Sequence, residues 1–191
     1  SAALAFEAST RAVEIDQTDS YAHALLAVAH MWPNRFAAAV REAERAIELN
    51  PSNAHGLSIL GTALEAVSHH DEAIVSFEQA IRLNPRDPRM SIYHVGLARA
   101  HLGARRYEEA AEVARQTINE RPDFPHSHYI LACALGHLGR YEEARAELAE
   151  CERLQPGYID RRLRWSPYEE AVENEHLHAG VHAARAAAIG H

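Results

Sequence analysis

The sequence predicts an all-α protein, an α-solenoid in which antiparallel helix pairs stack against one another, and three observations predict it. Four segments end alike, at Glu48-Leu49-Asn50-Pro51, Arg82-Leu83-Asn84-Pro85, Asn119-Glu120-Arg121-Pro122 and Arg153-Leu154-Gln155-Pro156, with prolines 34, 37 and 34 residues apart. That interval is the length of one supersecondary unit repeated along the chain. A leucine followed by a small residue recurs in step, as Leu26-Ala27, Leu60-Gly61, Leu97-Ala98 and Leu131-Ala132. Ala, Glu, Arg and Leu are abundant while Val, Ile and Thr seldom alternate, which favours helix over strand.

Taken in order, residues 1–17 read as the second helix of a pair, with Ala5, Ser9 and Ala12 in its small-residue places and Gln17 standing 34 before Pro51. This opening in mid-pair reads as a piece of a longer protein. Four full pairs follow, at 20–53, 54–87, 91–124 and 125–157. Their second helices carry Ala39, Ala43 and Ala46, then Ala73, Phe77 and Ala80, then Ala110, Ala114 and Thr117, then Ala144, Leu148 and Cys151. The three extra residues before the third pair fall in Arg86-Asp87-Pro88-Arg89-Met90, where Asp87 is expected to cap a helix opened by Pro88. Small side chains at Ala27, Gly61, Ala98 and Ala132 let two helix backbones approach, and the preceding leucines fill the seam. One pair alone closes no core, so stability comes from stacking neighbours. Beyond Pro156 the segment from Gly157 to Pro167 breaks the period. From Tyr168 to about Ala188 a helical stripe returns through Ala171, Val172, Leu177, Val181 and Ala184, so residues 158–191 read as a linker and a C-terminal capping helix.

Over residues 1–157 these features resemble the tetratricopeptide repeat family, most closely at the turns Arg106-Tyr107-Glu108-Glu109-Ala110 and Arg140-Tyr141-Glu142-Glu143-Ala144. The resemblance implies a right-handed superhelix of about four repeats plus a leading half-repeat, acting as a non-catalytic scaffold for protein or peptide partners. It also implies that the first helices line a concave groove, which places Tyr21, Val28, Trp32, His55, Thr62, Arg99, Tyr129, Cys133 and His137 at peptide-binding positions. Trp32, Tyr21 and Tyr129 are the large amphipathic anchors of that set. The carboxylate clamp some members use is not matched, because Ala24, Val28, Thr62, Val95 and Arg99 stand at its positions. The asparagine ladder of others is not matched either, since Leu25, Ile59, Gly96 and Ile130 occupy those places. A narrower resemblance, through Asn84-Pro85-Arg86-Asp87-Pro88 and Gly180-Val181, links the chain to the C-terminal arrays of bacterial class III adenylate or guanylate cyclases and of winged-helix regulators. It implies a regulatory or self-associating module, such as a homodimer, attached to an effector.

Composition narrows the partners. With 27 acidic against 19 basic residues and a formal charge of −8, the chain offers no basic stripe for nucleic acid or an anionic membrane. No run approaches a membrane span. Two cysteines, Cys133 and Cys151, form no Cys-x-x-Cys spacing, which points to a reducing cytoplasm rather than a disulfide framework. No cofactor is implied: Gly-x-Ser-x-Gly, Walker, His-Glu-x-x-His and Gly-x-Gly-x-x-Gly patterns are all missing, and the many glutamates fall on solvated second-helix faces. Fourteen histidines are a high number. His23, His94 and His128 take the large-residue position of first helices, where planar rings pack in the seam, and His30 and His101 follow seven later. His178 and His182, four apart with His176 nearby, offer an alternative metal-binding reading, with a third ligand from Glu175 or another chain.

Overall fold

The spacing of small and large residues becomes helix throughout. The computed structural model describes residues 2–164 and 167–187 of the 191, and among these eleven helices form and no strand. Trp165 and Ser166 of the irregular link, and Ala188 at the expected end of the last helix, lie outside the described residues. Two units emerge, Ser1–Asp87 and Pro88–His191.

The first unit holds α1 (Ala2–Ile15), α2 (Ser20–Met31), α3 (Phe36–Leu49), α4 (Ala54–Ala66) and α5 (His70–Leu83). Each helix packs on the next, and the two first helices, α2 and α4, also touch. Ala24, Ala27, Ala43, Ala46 and Ile59 form its centre. Four of these are alanines, so backbones rather than long side chains set the helix separation. Gly61 shows the tightness best: a Cβ placed there would lie 2.9 Å from Cε2 of Phe77, itself fully buried on α5.

The second unit holds α6 (Met90–Gly103), α7 (Tyr107–Glu120), α8 (Pro125–His137), α9 (Tyr141–Leu154), α10 (Tyr158–Leu163) and α11 (Ala171–Ala186). Helices α6 to α9 repeat the pattern of neighbours, and α6 touches α8. Ala98, Ala110, Ala114, Ala132 and Ala144 have no exposed surface and join Leu131, Leu148 and Cys151 in one cluster. Short α10 packs on α9, while α11 lies across α8 and also reaches α6 and α9. Glu152 starts α10 by accepting from the backbone N–H of Gly157 (2.7 Å) and Ile159 (2.9 Å).

The turns inside the pairs obey one rule. Each first helix of the four pairs ends with a residue in the left-handed region, Asn34, Ser68, Arg105 or Gly139. The next N–H reaches back five residues, as His69 to Leu64 (2.9 Å) and Arg140 to Leu135 (2.9 Å), satisfying the carbonyls a helix end leaves open. Acidic pairs Asp71-Glu72, Glu108-Glu109 and Glu142-Glu143 then stand in the first turn of α5, α7 and α9, where the helix dipole favours negative charge.

Two seam histidines are fixed by a carboxylate 19 residues on. His23 Nδ1 meets Glu42 at 2.7 Å and Nε2 meets the Gln17 carbonyl at 3.1 Å; His128 repeats this with Glu147 at 2.6 Å and Pro122 at 3.1 Å. Each ring thereby ties a first helix to its second helix and to the preceding turn.

Two expectations are corrected. Arg89, not Asp87, holds the cap position of α6, which opens at Met90, and Asp87 accepts from Asn84 Nδ2 at 3.2 Å inside the turn. Pro88 and Arg89 form a further turn, which absorbs the extra residues. Ala171 and Val172 are exposed at the start of α11, so its buried stripe runs through Leu177, His178, Gly180, Val181 and Ala184 instead.

Gly61→Val is expected to destabilise the chain by about 1–3 kcal/mol through overpacking against Phe77, read as a lowered urea midpoint. Ser68→Gly is expected to raise stability by up to about 1 kcal/mol, because serine is strained at positive φ. Its Oγ is also buried with no hydrogen-bond partner among the described residues. The same urea titration checks both.

Candidate functional site

In the first unit α2 presents an exposed stripe beside the buried and half-buried α4. Helix α2 buries Ala22, His23, Ala24, Leu26 and Ala27, and at intervals of four, three and four it turns Tyr21, Leu25, Val28 and the capping Trp32 outward. Tyr21 is 53% exposed, Leu25 39% and Trp32 71%, an unusual amount of apolar surface for one helix of this length. From α4, His55 stands 6.4 Å from the Tyr21 ring. Val28, His55 and Thr62 are half-buried, and the Thr62 hydroxyl donates to the Ser58 carbonyl of its own helix at 2.9 Å. At the end of α2, Trp32 and Pro33 join Ala2, Ala3, Phe6, Ala29 and Arg35 around a cleft of about 410 Å³. The Arg35 guanidinium sits over the Phe6 ring at 5.3 Å and His30 meets that ring edge-on at 5.0 Å.

The second unit treats the equivalent positions differently. Tyr129 and Cys133 have no exposed surface and His137 is half-buried, because α11 lies on them. At the crossing a Cβ on Gly136 would overlap the Gly180 carbonyl, and one on Gly180 would overlap the Cys133 carbonyl. Polar contacts surround this point. The Tyr129 hydroxyl and His178 Nδ1 are 2.7 Å apart. Burial raises the phenol's pKa, so the hydroxyl keeps its proton. His137 Nε2 donates to the His176 carbonyl (2.9 Å), and His176 Nε2 donates to the Leu102 carbonyl at 3.3 Å. The two rings lie 4.5 Å apart, with Tyr107 stacked on His137 at 4.6 Å. Arg105 holds both Glu173 oxygens, at 3.0 and 3.1 Å, and Arg145 donates to the Ala184 carbonyl at 3.1 Å.

Beside this contact, Arg162 of α10 donates to His126 Nε2 at 3.1 Å and covers the Tyr129 ring at 5.8 Å. Burial, then Arg162 and Arg99, hold His126 well below the usual imidazole range, consistent with a neutral ring that accepts. Arg99, on α6, is buried. Burial pushes the Cys133 and Cys151 thiols up to about 12, which makes both poor nucleophiles. His178 is buried under its Tyr129 bond while His182 is exposed, and among the described residues no three metal-capable side chains converge.

The sequence reading missed Gly136, Gly180, Arg105 and Glu173. A signal existed: a glycine within each of two helical stripes marks close backbone approach.

A model of the tetratricopeptide repeat matches residues 21–88 and 95–159, more than half of the chain. The chain belongs to the tetratricopeptide repeat family. Solved repeat structures superpose on most of it: PilF of Pseudomonas aeruginosa at TM-score 0.70 and 19% identity, covering 95% of this chain and 79% of that one. MamA follows at 0.66 and 18%, covering 81% and 89%. YrrB, described as a repeat protein with an unusual peptide-binding site, gives 0.65 and 18%, covering 96% and 99%. At these identities the likeness speaks for the fold. No curated protein matches the sequence. Among the described residues no helix is long and apolar enough to cross a membrane.

The seat of α11 against the last repeat is pH-sensitive in a definite direction. Burial foremost holds the His137 and His176 pKa values below 6.5; for His137 the His176 carbonyl pulls upward and Arg105 adds a weaker downward push, and for His176 Arg105 and His137 push further down against smaller upward pulls from the Leu102 carbonyl and Glu173. A lowered value means that the docked helix binds fewer protons than the released one. Docking therefore holds in full above the released value and weakens as pH falls through the docked values. Amide exchange of residues 171–186, corrected for intrinsic rates, is expected to show stronger protection at about pH 8 than at about pH 5. Equal protection at both would contradict this.

Proposed function

We propose that this repeat array is a non-catalytic interaction module that seats a peptide or amphipathic helix of a partner protein on the face of α2 and α4. The observation that carries the reading is the open stripe Tyr21, Leu25, Val28 and Trp32. Rigid aromatic side chains lose little entropy on binding and supply large contact areas, which makes such positions dominate affinity. The stripe has helical spacing and therefore suits a guest of helical period. The peptide-binding site ascribed to YrrB, a structure of the same fold, supports this use of the frame. The buried, high-pKa thiols of Cys133 and Cys151 support a binding rather than a nucleophilic role for the array.

The test is an array of amphipathic peptides probed with the wild-type chain and with Tyr21→Ala/Trp32→Ala. Both side chains are exposed, so helicity stays unchanged. Loss of the paired anchors is expected to weaken the best binders by at least about 30-fold, equivalent to about 2 kcal/mol. Unchanged binding would remove this face from consideration.

A second reading, self-association as part of a larger regulatory protein, is supported by Leu4 (65% exposed) and Ile15 (74%) on α1. It expects a concentration-dependent mass in light scattering that Leu4→Glu/Ile15→Glu abolishes. A constant monomeric mass would count against it.

A further inference from the structure

The open face of the first unit and the covered face of the second are the same surface in two states. By the repeat interval, Ala24, Val28, Met31 and Trp32 of α2 correspond to Tyr129, Cys133, Gly136 and His137 of α8. In the first set Trp32 is exposed and Val28 and Met31 are half-buried, and the second set carries α11. We infer that the α6–α8 face is a second helix-binding surface whose resident ligand is α11, and that a partner helix with the pattern of α11 displaces it. This rests on the reading of first-helix faces as helix seats.

The pattern is specific. Gly180 lets the guest backbone touch α8 at Gly136; His178, two residues earlier, receives the Tyr129 hydroxyl at 2.7 Å; Glu173, seven earlier, takes the Arg105 fork at 3.0 and 3.1 Å. These contacts fix register, depth and direction. The guest is thus a helix with an acidic residue, a histidine five later and a glycine two beyond that, over an apolar stripe like Leu177, Val181 and Ala184. The α2 face rejects it: Met31 stands where Gly136 permits the crossing, so the two seats select different helices.

The contact is also built to exchange. Its polar bonds re-form with water or with another helix, while the apolar stripe of a guest covers again what the release of Leu177, Val181 and Ala184 exposes. The fully buried Leu177, Val181 and Ala184 hold α11 in its seat, and its tether adds to them. Residues 164–170 join it to α10, and a short connection gives the helix an effective concentration on the order of millimolar. Weakening docking, rather than improving the guest, is therefore the way to open the seat.

The experiment uses the full chain and a fluorescein-labelled peptide of residues 167–187 as probe, followed by anisotropy at pH 7.5. The wild type is expected to bind weakly, because α11 fills the seat. Glu173→Gln/His178→Ala in the chain, which removes two anchors without adding bulk, is expected to bind the wild-type peptide at least tenfold more tightly. Gly180→Leu, which drives α11 off the Cys133 carbonyl, is expected to do the same where circular dichroism shows native helicity. A peptide carrying Gly180→Leu is expected to lose binding to every chain. The Tyr21→Ala/Trp32→Ala chain is expected to bind the probe like the wild type, which separates this seat from the α2 face. Equal binding to the wild type and the Glu173→Gln/His178→Ala chain, or retention of the Gly180→Leu peptide, would overturn the inference.

Discussion

Close approach of helix backbones at recurring small side chains is the constraint on which the rest of this structure depends. Where Ala27, Ala43 and Ala46 meet in the first unit, and Ala98, Ala110 and Ala132 in the second, no side chain is long enough to hold two helices apart. The hairpins therefore interlock at backbone distance, and the larger residues are displaced to the flanks of each seam. This is why first helices expose a stripe at all: a helix that buries alanines on two sides has room on its remaining face for tyrosine and tryptophan.

The same constraint operates at the end of the chain with a different result. Gly136 and Gly180 extend the small-residue contact from the inside of a hairpin to the face that the repeats leave open, and α11 settles there as a guest. Alanine at either position would already place a methyl group inside a carbonyl. The polar contacts around the crossing then act as selectors more than as sources of stability, since each replaces a bond to water of nearly equal strength. Histidine suits that role, because one ring nitrogen can donate while the other accepts.

Much of the helix pattern was legible because a period of 34 residues and a fixed small-residue step are local regularities. The left-handed turns were not read, although Asn34, Ser68, Arg105 and Gly139 recur at the same interval, because only glycine among them announces positive φ. Likewise the pairing of His23 with Glu42 and of His128 with Glu147 needed both helices in place before the 19-residue spacing acquired meaning. Asp87 and Pro88 looked like a helix start on residue preference alone, yet the helix opens only at Met90 and Asp87 bonds Asn84 within the turn.

By itself, the sequence determined the helices, their pairing and the residues along each seam, since these follow from short-range periodicity and from side-chain volume. Tertiary structure alone decided which of the equivalent first-helix faces stays open. Trp32 is exposed where the repeat places the half-buried His137, and Val28 is half-buried where it places the enclosed Cys133. The difference lies in whether a distant segment can reach the face and touch it backbone to backbone, and no repeat carries that information within its own length.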